Sequence, residues 1–302
     1  MDKKCTYSSR ERVRRTIRRQ ETDRLAKGEL CINDSVVRQE LNCDYVGFAE
    51  RLTFVNALGL DIFTLSPVYS QLAGGLPNPG ECIWPDIEKW TTETGIFNFA
   101  IVDGAFEVGM RTQGCLEFLT LPGKSPLSLT EFIGKAEKLN MSMFEDLVAK
   151  GIDGIILADD IAYQKGLLIN PKILKEYFFP SLARQVEEIA GKGIPVFYHS
   201  DGNYREVIPD LINIGFQGLH CIDHNCGMDI ADLQREFGNK LCLWGHLDVN
   251  DTQQARDPAF LQDLIVSVRK LAFQKGLILG TNSGLFEGID LTGLKAIYRS
   301  VN

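Results

Sequence analysis

Four runs between Gly151 and Asp248 decide the fold: GIDGIILADD (151–160), GIPVFYHSDGN (193–203), GLHCIDHNC (218–226) and KLCLWGHLD (240–248). Each is a strand-like apolar stretch that ends in polar residues, and helix-like segments separate them. Strands that alternate with helices form a parallel sheet, and such sheets bind ligands at the carboxyl ends of their strands. All four histidines, His199, His220, His224 and His246, fall in or just after these runs. The pattern reads as the rim of an active site.

Working outward, further strand candidates are ELCIND near 29–34, DIFTL at 61–65, FNFAIVD at 97–103 and LILGTN at 277–282, which brings the total to eight. The segments between most of them carry helical periodicity. LSLTEFIGKAEKLNMSMFEDLVAKG stops at Gly151, and Asn170-Pro171 opens a helix in which Pro180 should introduce a kink. MDIADLQREFG, DPAFLQDLIVSVRKLAFQKG and LTGLKAIYRS complete the series. Eight strands alternating with helices over about 250 residues predict an α/β fold, the (β/α)8 or TIM barrel, as a single domain over 1–302. A doubly wound open sheet is the rival, but no GxGxxG turn follows the first strand. Residues 1–27 read as a helical lead-in. Residues 66–95, rich in glycine and proline and carrying Trp84 and Trp90, read as a long functional loop.

At 302 residues and 44% hydrophobic, the chain can bury a full core. Its formal charge of −8 argues against nucleic acid as a partner. RERVRRTIRR (10–19) is a local exception, read as an amphipathic helix with a solvated basic side and with Val13 and Ile17 on one face. No apolar run approaches the roughly 18 residues of a membrane span, and a cytoplasmic location is expected. The eight scattered cysteines form no CxxC pair and read as reduced thiols. The group His220, Cys221, His224 and Cys226 resembles a zinc site only superficially, since neighbours on a strand point to opposite faces.

The chemistry concentrates at strand ends. Of Asp159-Asp160, at most one carboxylate should face the mouth, the other meeting solvent or a backbone amide. His199-Ser200-Asp201-Gly202-Asn203 is the sharpest signal. His199 and Asp201 can project from one strand edge as a metal pair or as a base with its orienting acid, with Asn203 and Glu206 left to cap the next helix. Asp103, Asp223-His224, His246-Leu247-Asp248 and Asn282-Ser283 end other strands. Individually these are ordinary turn residues; their agreement on one end of every strand carries the weight.

These residues resemble the uroporphyrinogen decarboxylase-like superfamily, which contains the haem-pathway decarboxylase and cobalamin-dependent methyltransferases. The resemblance runs from SSRERVRRTIRRQETDR through DDIAYQKGLLINPKILKEYFFPSLARQVEE, FYHSDGN and GMDIADLQREFGNKLCLWGHLD to LGTNSGL, and is looser between 30 and 140. It implies a (β/α)8 barrel with its site at the carboxyl end. The decarboxylase has an arginine-bearing loop of RQAGR type after its first strand and a late histidine. Here those places read ELCINDSVVRQEL, with only Arg38, and Ser283. The family's zinc methyltransferases hold metal through a His-x-Cys pair and a late Cys; His199 matches the histidine, whereas Asp201 and Ser283 replace the cysteines.

The resemblance therefore implies an enzyme that moves a methyl group between a small methylated substrate and a corrinoid carried by a partner protein, rather than a porphyrinogen decarboxylase. Asp160, His199, Asp201 and His246 are the expected catalytic residues. Asp159, Asp103, His224, Asn282 and Ser283 are the expected substrate contacts. His199 and Asp201 are the expected ligands of any metal, with zinc left open. Two other readings are kept: a decarboxylase or lyase acting on a small carboxylate or a uroporphyrinogen-like substrate, and a ligand-binding barrel without chemistry.

Overall fold

The computed structural model describes residues 6–69 and 75–301. Cys5, the start of the lead-in, and residues 70–74 of the long loop lie outside the described residues. Eight parallel strands form one sheet: β1 Ala26–Lys27, β2 Ile62–Leu65, β3 Phe97–Asp103, β4 Gly154–Ala158, β5 Val196–His199, β6 Gly218–His220, β7 Cys242–Leu247 and β8 Leu277–Thr281. The ladder runs in the order β1-β8-β7-β6-β5-β4-β3-β2. At the remaining seam the Asp61 amide donates to the Lys27 carbonyl at 2.7 Å, so the sheet curls into a nearly closed barrel. The expected (β/α)8 architecture is the one observed.

Inward residues alternate along each strand, as the two-residue period of a strand requires. Phe97 and Phe99, Ile156, Phe197, Cys242 and Trp244, and Ile278 fill the barrel, and Val13 and Ile17 from the helix Ser9–Ile17 plug its amino-terminal end. The aromatic rings interlock, with Phe99 and Trp244 5.4 Å apart at their centroids. Small residues opposite them are obligatory. A Cβ on Gly218 would lie 2.3 Å from the Phe197 ring, and one on Gly154 2.4 Å from the Phe99 ring. A larger apolar layer packs the helices onto the outside of the sheet.

The first strand departs from expectation. Pairing is confined to Ala26–Lys27, inside the predicted lead-in, and ELCIND contributes only a bridge from Ile32 to Leu285 before the helix Asp34–Leu41 starts. The physical reason lies in the polar residues. Glu29 turns outward to the Thr281 and Tyr298 hydroxyls, and Asn33 caps the helix by accepting from the Ser35 amide. The 66–95 segment is also more ordered than predicted. Val68–Tyr69 pairs with Cys82–Ile83, and the helix Ile87–Glu93 buries Trp90, which stacks on Phe63 at 3.6 Å. Trp84 and Trp90 are core residues, not loop contacts.

The basic side of the first helix is not simply solvated. Arg10 and Arg14 clasp Asp153, and buried Arg12 bridges Asp23 and Asp61 at 2.7 Å each. Pro180 is accommodated by a π-helical stretch, Leu174–Phe178, immediately before the helix Phe179–Gly191; the wider turn relieves the clash of the proline ring with the preceding carbonyls. The seven described cysteines are free thiols. Among the described residues no helix is long and apolar enough to cross a membrane.

Candidate active site at the carboxyl end of the barrel

Alternation places the site. Ile156 faces inward on β4 and Phe197 on β5, so Asp160 and His199 continue those inward rows at the carboxyl ends of their strands. His199 Nε2 lies 3.8 Å from Asp160 Oδ1 and 3.9 Å from Asp201 Oδ1. The ligand atoms of Asp160, His199 and Asp201 all fall within 4.8 Å of one another, the one such group of potential metal ligands among the described residues.

Local hydrogen bonds hold this geometry. The Asp201 amide donates to Asp160 Oδ1 at 2.8 Å, the Asp159 amide to the His199 carbonyl at 2.9 Å, and the Ile161 amide to Ser200 Oγ at 3.2 Å. Gly202 adopts φ +80° and passes so close to the Ala162 and Tyr163 backbones that a Cβ would meet them at 2.7 Å. Asn203 accepts from the Arg205 amide, and no capping box with Glu206 forms, because a 3-10 turn, Arg205–Val207, intervenes before the helix. The loop is thus pinned to its neighbour, with the Asp201 side chain left 66% exposed.

Asp159, an expected substrate contact, turns away from the mouth. It points to the outer side of β4, is buried, and accepts from the Glu107 amide at 2.8 Å at the start of the helix Ala105–Gln113. Burial holds its pKa well above the ordinary value, and the amide hydrogen bond works against that. A Cβ on Gly104 would overlap its carboxylate at 2.3 Å. Asp103 does face the mouth, but its carboxylate is engaged by Arg111 at 2.6 Å and by the Tyr69 hydroxyl at 3.4 Å. Ser283 is exposed on the turn after β8, and buried Asn282 uses its amide to reach the Leu247 carbonyl at 2.9 Å. His224 is exposed on the turn after β6. His224 does not join the Asp160, His199 and Asp201 group.

His246 ends β7 at the same mouth as His199 but stands apart from the trio, its nearby charged groups being His224 and Asp229. Its Nδ1 donates to the Gly245 carbonyl, and burial lowers its pKa to about 4. The sign follows: the folded ring is neutral while the unfolded one charges below about 6.5, so its contribution is complete above pH 6.5 and is lost as pH falls toward 4. His246 sits at φ +89°, a conformation asparagine tolerates. The variant His246→Asn is therefore expected to flatten this part of the curve of thermal stability against pH. An identical curve would place the acid sensitivity elsewhere.

Sequence reasoning missed three groups. His220, paired in register with His199, is fully buried, and its Nδ1 lies 2.8 Å from His199 Nδ1. Its Nε2 makes no hydrogen bond of ordinary geometry, the Thr281 backbone being the group that favours a proton on the ring, and burial drives its pKa well below the usual range. Glu107, in the first turn after β3, has its pKa raised by burial and then by Asp160 and Asp103. Arg111 supplies a cation beside this acidic cluster. The detectable signal was position: GLH ends on the same inward row as FYH, and GAFEVGMR follows a strand end carrying Asp103.

The family model for uroporphyrinogen decarboxylase (URO-D) matches residues 107–302. A methyltransferase from Methanosarcina mazei superposes with a TM-score of 0.75 over 97% of this chain and 98% of that chain, at 14% sequence identity. D-psicose 3-epimerase from Clostridium cellulolyticum, solved with D-tagatose, gives a TM-score of 0.50 over 85% of this chain and 92% of that chain, at 12% identity. At such identities these likenesses speak for the fold alone. A search of curated protein sequences finds no match.

Proposed function

Because the chain belongs to the uroporphyrinogen decarboxylase family, we propose that it is a methyltransferase-type enzyme of that family, moving a methyl group between a small methylated compound and the corrinoid of a partner protein. The observation that carries the reading is the convergence of Asp160, His199 and Asp201 on one point of the mouth. One imidazole nitrogen and two carboxylates fit a divalent cation such as zinc, with harder ligands than the thiolates of the family's zinc methyltransferases. A metal held there supplies Lewis acidity toward the heteroatom that loses or gains the methyl. A reduced corrinoid supplies a strongly nucleophilic cobalt.

The chain's own residues then orient and polarise. His199 and the two acids fix the heteroatom, and Asp103, Glu107 and Arg111 shape the wall beside it. The excess of carboxylates over the single arginine in this group favours a neutral or cationic donor over a polyanion. The test mixes the purified protein, with and without added zinc, with reduced corrinoid protein and a panel of methoxylated, methylated-amine and methylated-thiol donors, and follows the cobalt absorbance. Methyl-cobalt formation with any donor supports the reading, and none in either direction would remove it.

Arg111 favours one second reading, a lyase acting on a small carboxylate. Its guanidinium is 37% exposed beside the mouth, yet Asp103 already neutralises it. Uroporphyrinogen itself is not expected to react. Arg38, the one arginine in the first-strand region, lies exposed on the helix Asp34–Leu41, and Ser283 stands where the decarboxylase has its histidine. Product analysis should show no coproporphyrinogen, and its formation at an enzymatic rate would overturn the assignment.

A further inference from the structure

Two histidines from neighbouring strands meet nitrogen to nitrogen. His199 Nδ1 lies 2.8 Å from His220 Nδ1 because the residues are register partners on β5 and β6. A hydrogen bond between ring nitrogens holds one proton, so one ring donates and the other accepts. The surroundings decide which. His199 Nε2 faces carboxylate oxygens at 3.8 and 3.9 Å, across the gap that a metal ion would fill. A neutral imidazole that binds metal through Nε2 carries its one proton on Nδ1. Among the described residues His220 has no carboxylate partner; it is wholly buried and sits edge-on to Trp244 at 5.2 Å, where a charge would be uncompensated. It is the acceptor.

We infer that His220 is a positioning residue: by accepting the Nδ1 proton of His199 it fixes that ring with Nε2 turned toward the gap between Asp160 and Asp201. The inference rests on the proposed reading that a cation occupies the gap, and it adds a residue from a strand that contributes no ligand. The fold makes the arrangement rigid. The Ser200 amide donates to the His220 carbonyl at 3.1 Å, and the Tyr204 hydroxyl to the Cys221 carbonyl at 3.0 Å, so the two strand ends move together.

The test has two arms. Long-range proton–nitrogen NMR of the imidazole rings in the zinc-loaded protein should show His199 protonated on Nδ1 and His220 neutral with its proton on Nε2. A proton on His220 Nδ1 would overturn the inference. In the second arm, zinc and cobalt(II) are titrated into the wild type, into His220→Phe, which keeps a ring without an acceptor, and into His220→Asn, whose side-chain oxygen takes the place of Nδ1. The phenylalanine variant is expected to bind metal about 10–100-fold more weakly, as loss of a ligand's hydrogen-bond partner usually costs. The asparagine variant should recover most of that loss, and equal weakness in both variants would sink the acceptor role. If the wild type binds neither metal, the metal reading and this role for His220 fall together, whereas equal binding by all three proteins sinks the acceptor role alone. If the phenylalanine variant does not fold, the NMR arm decides.

Discussion

Replacing His199 with alanine is expected to lower the rate of the proposed methyl transfer by about 10²–10⁴-fold, the range typical of a positioned acid–base or ligand group. The same change should remove the nitrogen of the Asp160, His199 and Asp201 cluster and with it tight binding of a divalent metal. Asp201→Ala is the sharper companion, because backbone hydrogen bonds hold that loop. The Asp201 amide is held by Asp160, and the Asn203 amide donates to the Tyr163 carbonyl at 2.9 Å. The backbone should stay in place while one carboxylate disappears. Full metal occupancy in Asp201→Ala would show that this carboxylate is not a ligand. A protein that only binds its ligand would lose affinity in both variants and have no turnover to lose, which separates that reading from an enzyme.

How much of this was legible in the sequence depends on whether the deciding contact is local. The barrel was, because alternation and helix punctuation are properties of neighbouring residues; β3 runs over Phe97–Asp103 as read. The Asp159-Asp160 pair was legible only as far as one-sided facing, and the fold supplied the side: Asp160 to the mouth, Asp159 to the amide of Glu107. His220 was hidden because its meaning lies across the sheet, in the register that sets it against His199. The arginines of the first helix were misread for the same reason. Their partners Asp61 and Asp153 are distant in the chain, and a run of charge carries no sign of them.

Asp61→Ala is expected to destabilise the fold by about 3–5 kcal/mol, the usual cost of stripping one partner from a buried ion pair. Asp61 is fully buried at the amino-terminal seam between β1 and β2 and accepts from the Ser9 hydroxyl at 2.7 Å, from Arg12 at 2.7 Å, from Arg24 at 2.7 and 2.8 Å and from the Lys27 amide at 3.1 Å. Among the described residues its removal leaves Arg12 with Asp23 alone and Arg24 with no acid, next to Lys27, whose pKa burial and Arg24 already lower to about 8. Neither the Arg12 nor the Lys27 head group can reach water without opening the seam, so the cost falls on the native state rather than on the surface. In urea the midpoint should drop while the slope is unchanged, the signature of lost stability without a change in the surface exposed on unfolding. An Asp61→Ala variant as stable as the wild type would mean that water already reaches this network and that the seam is held by apolar packing alone.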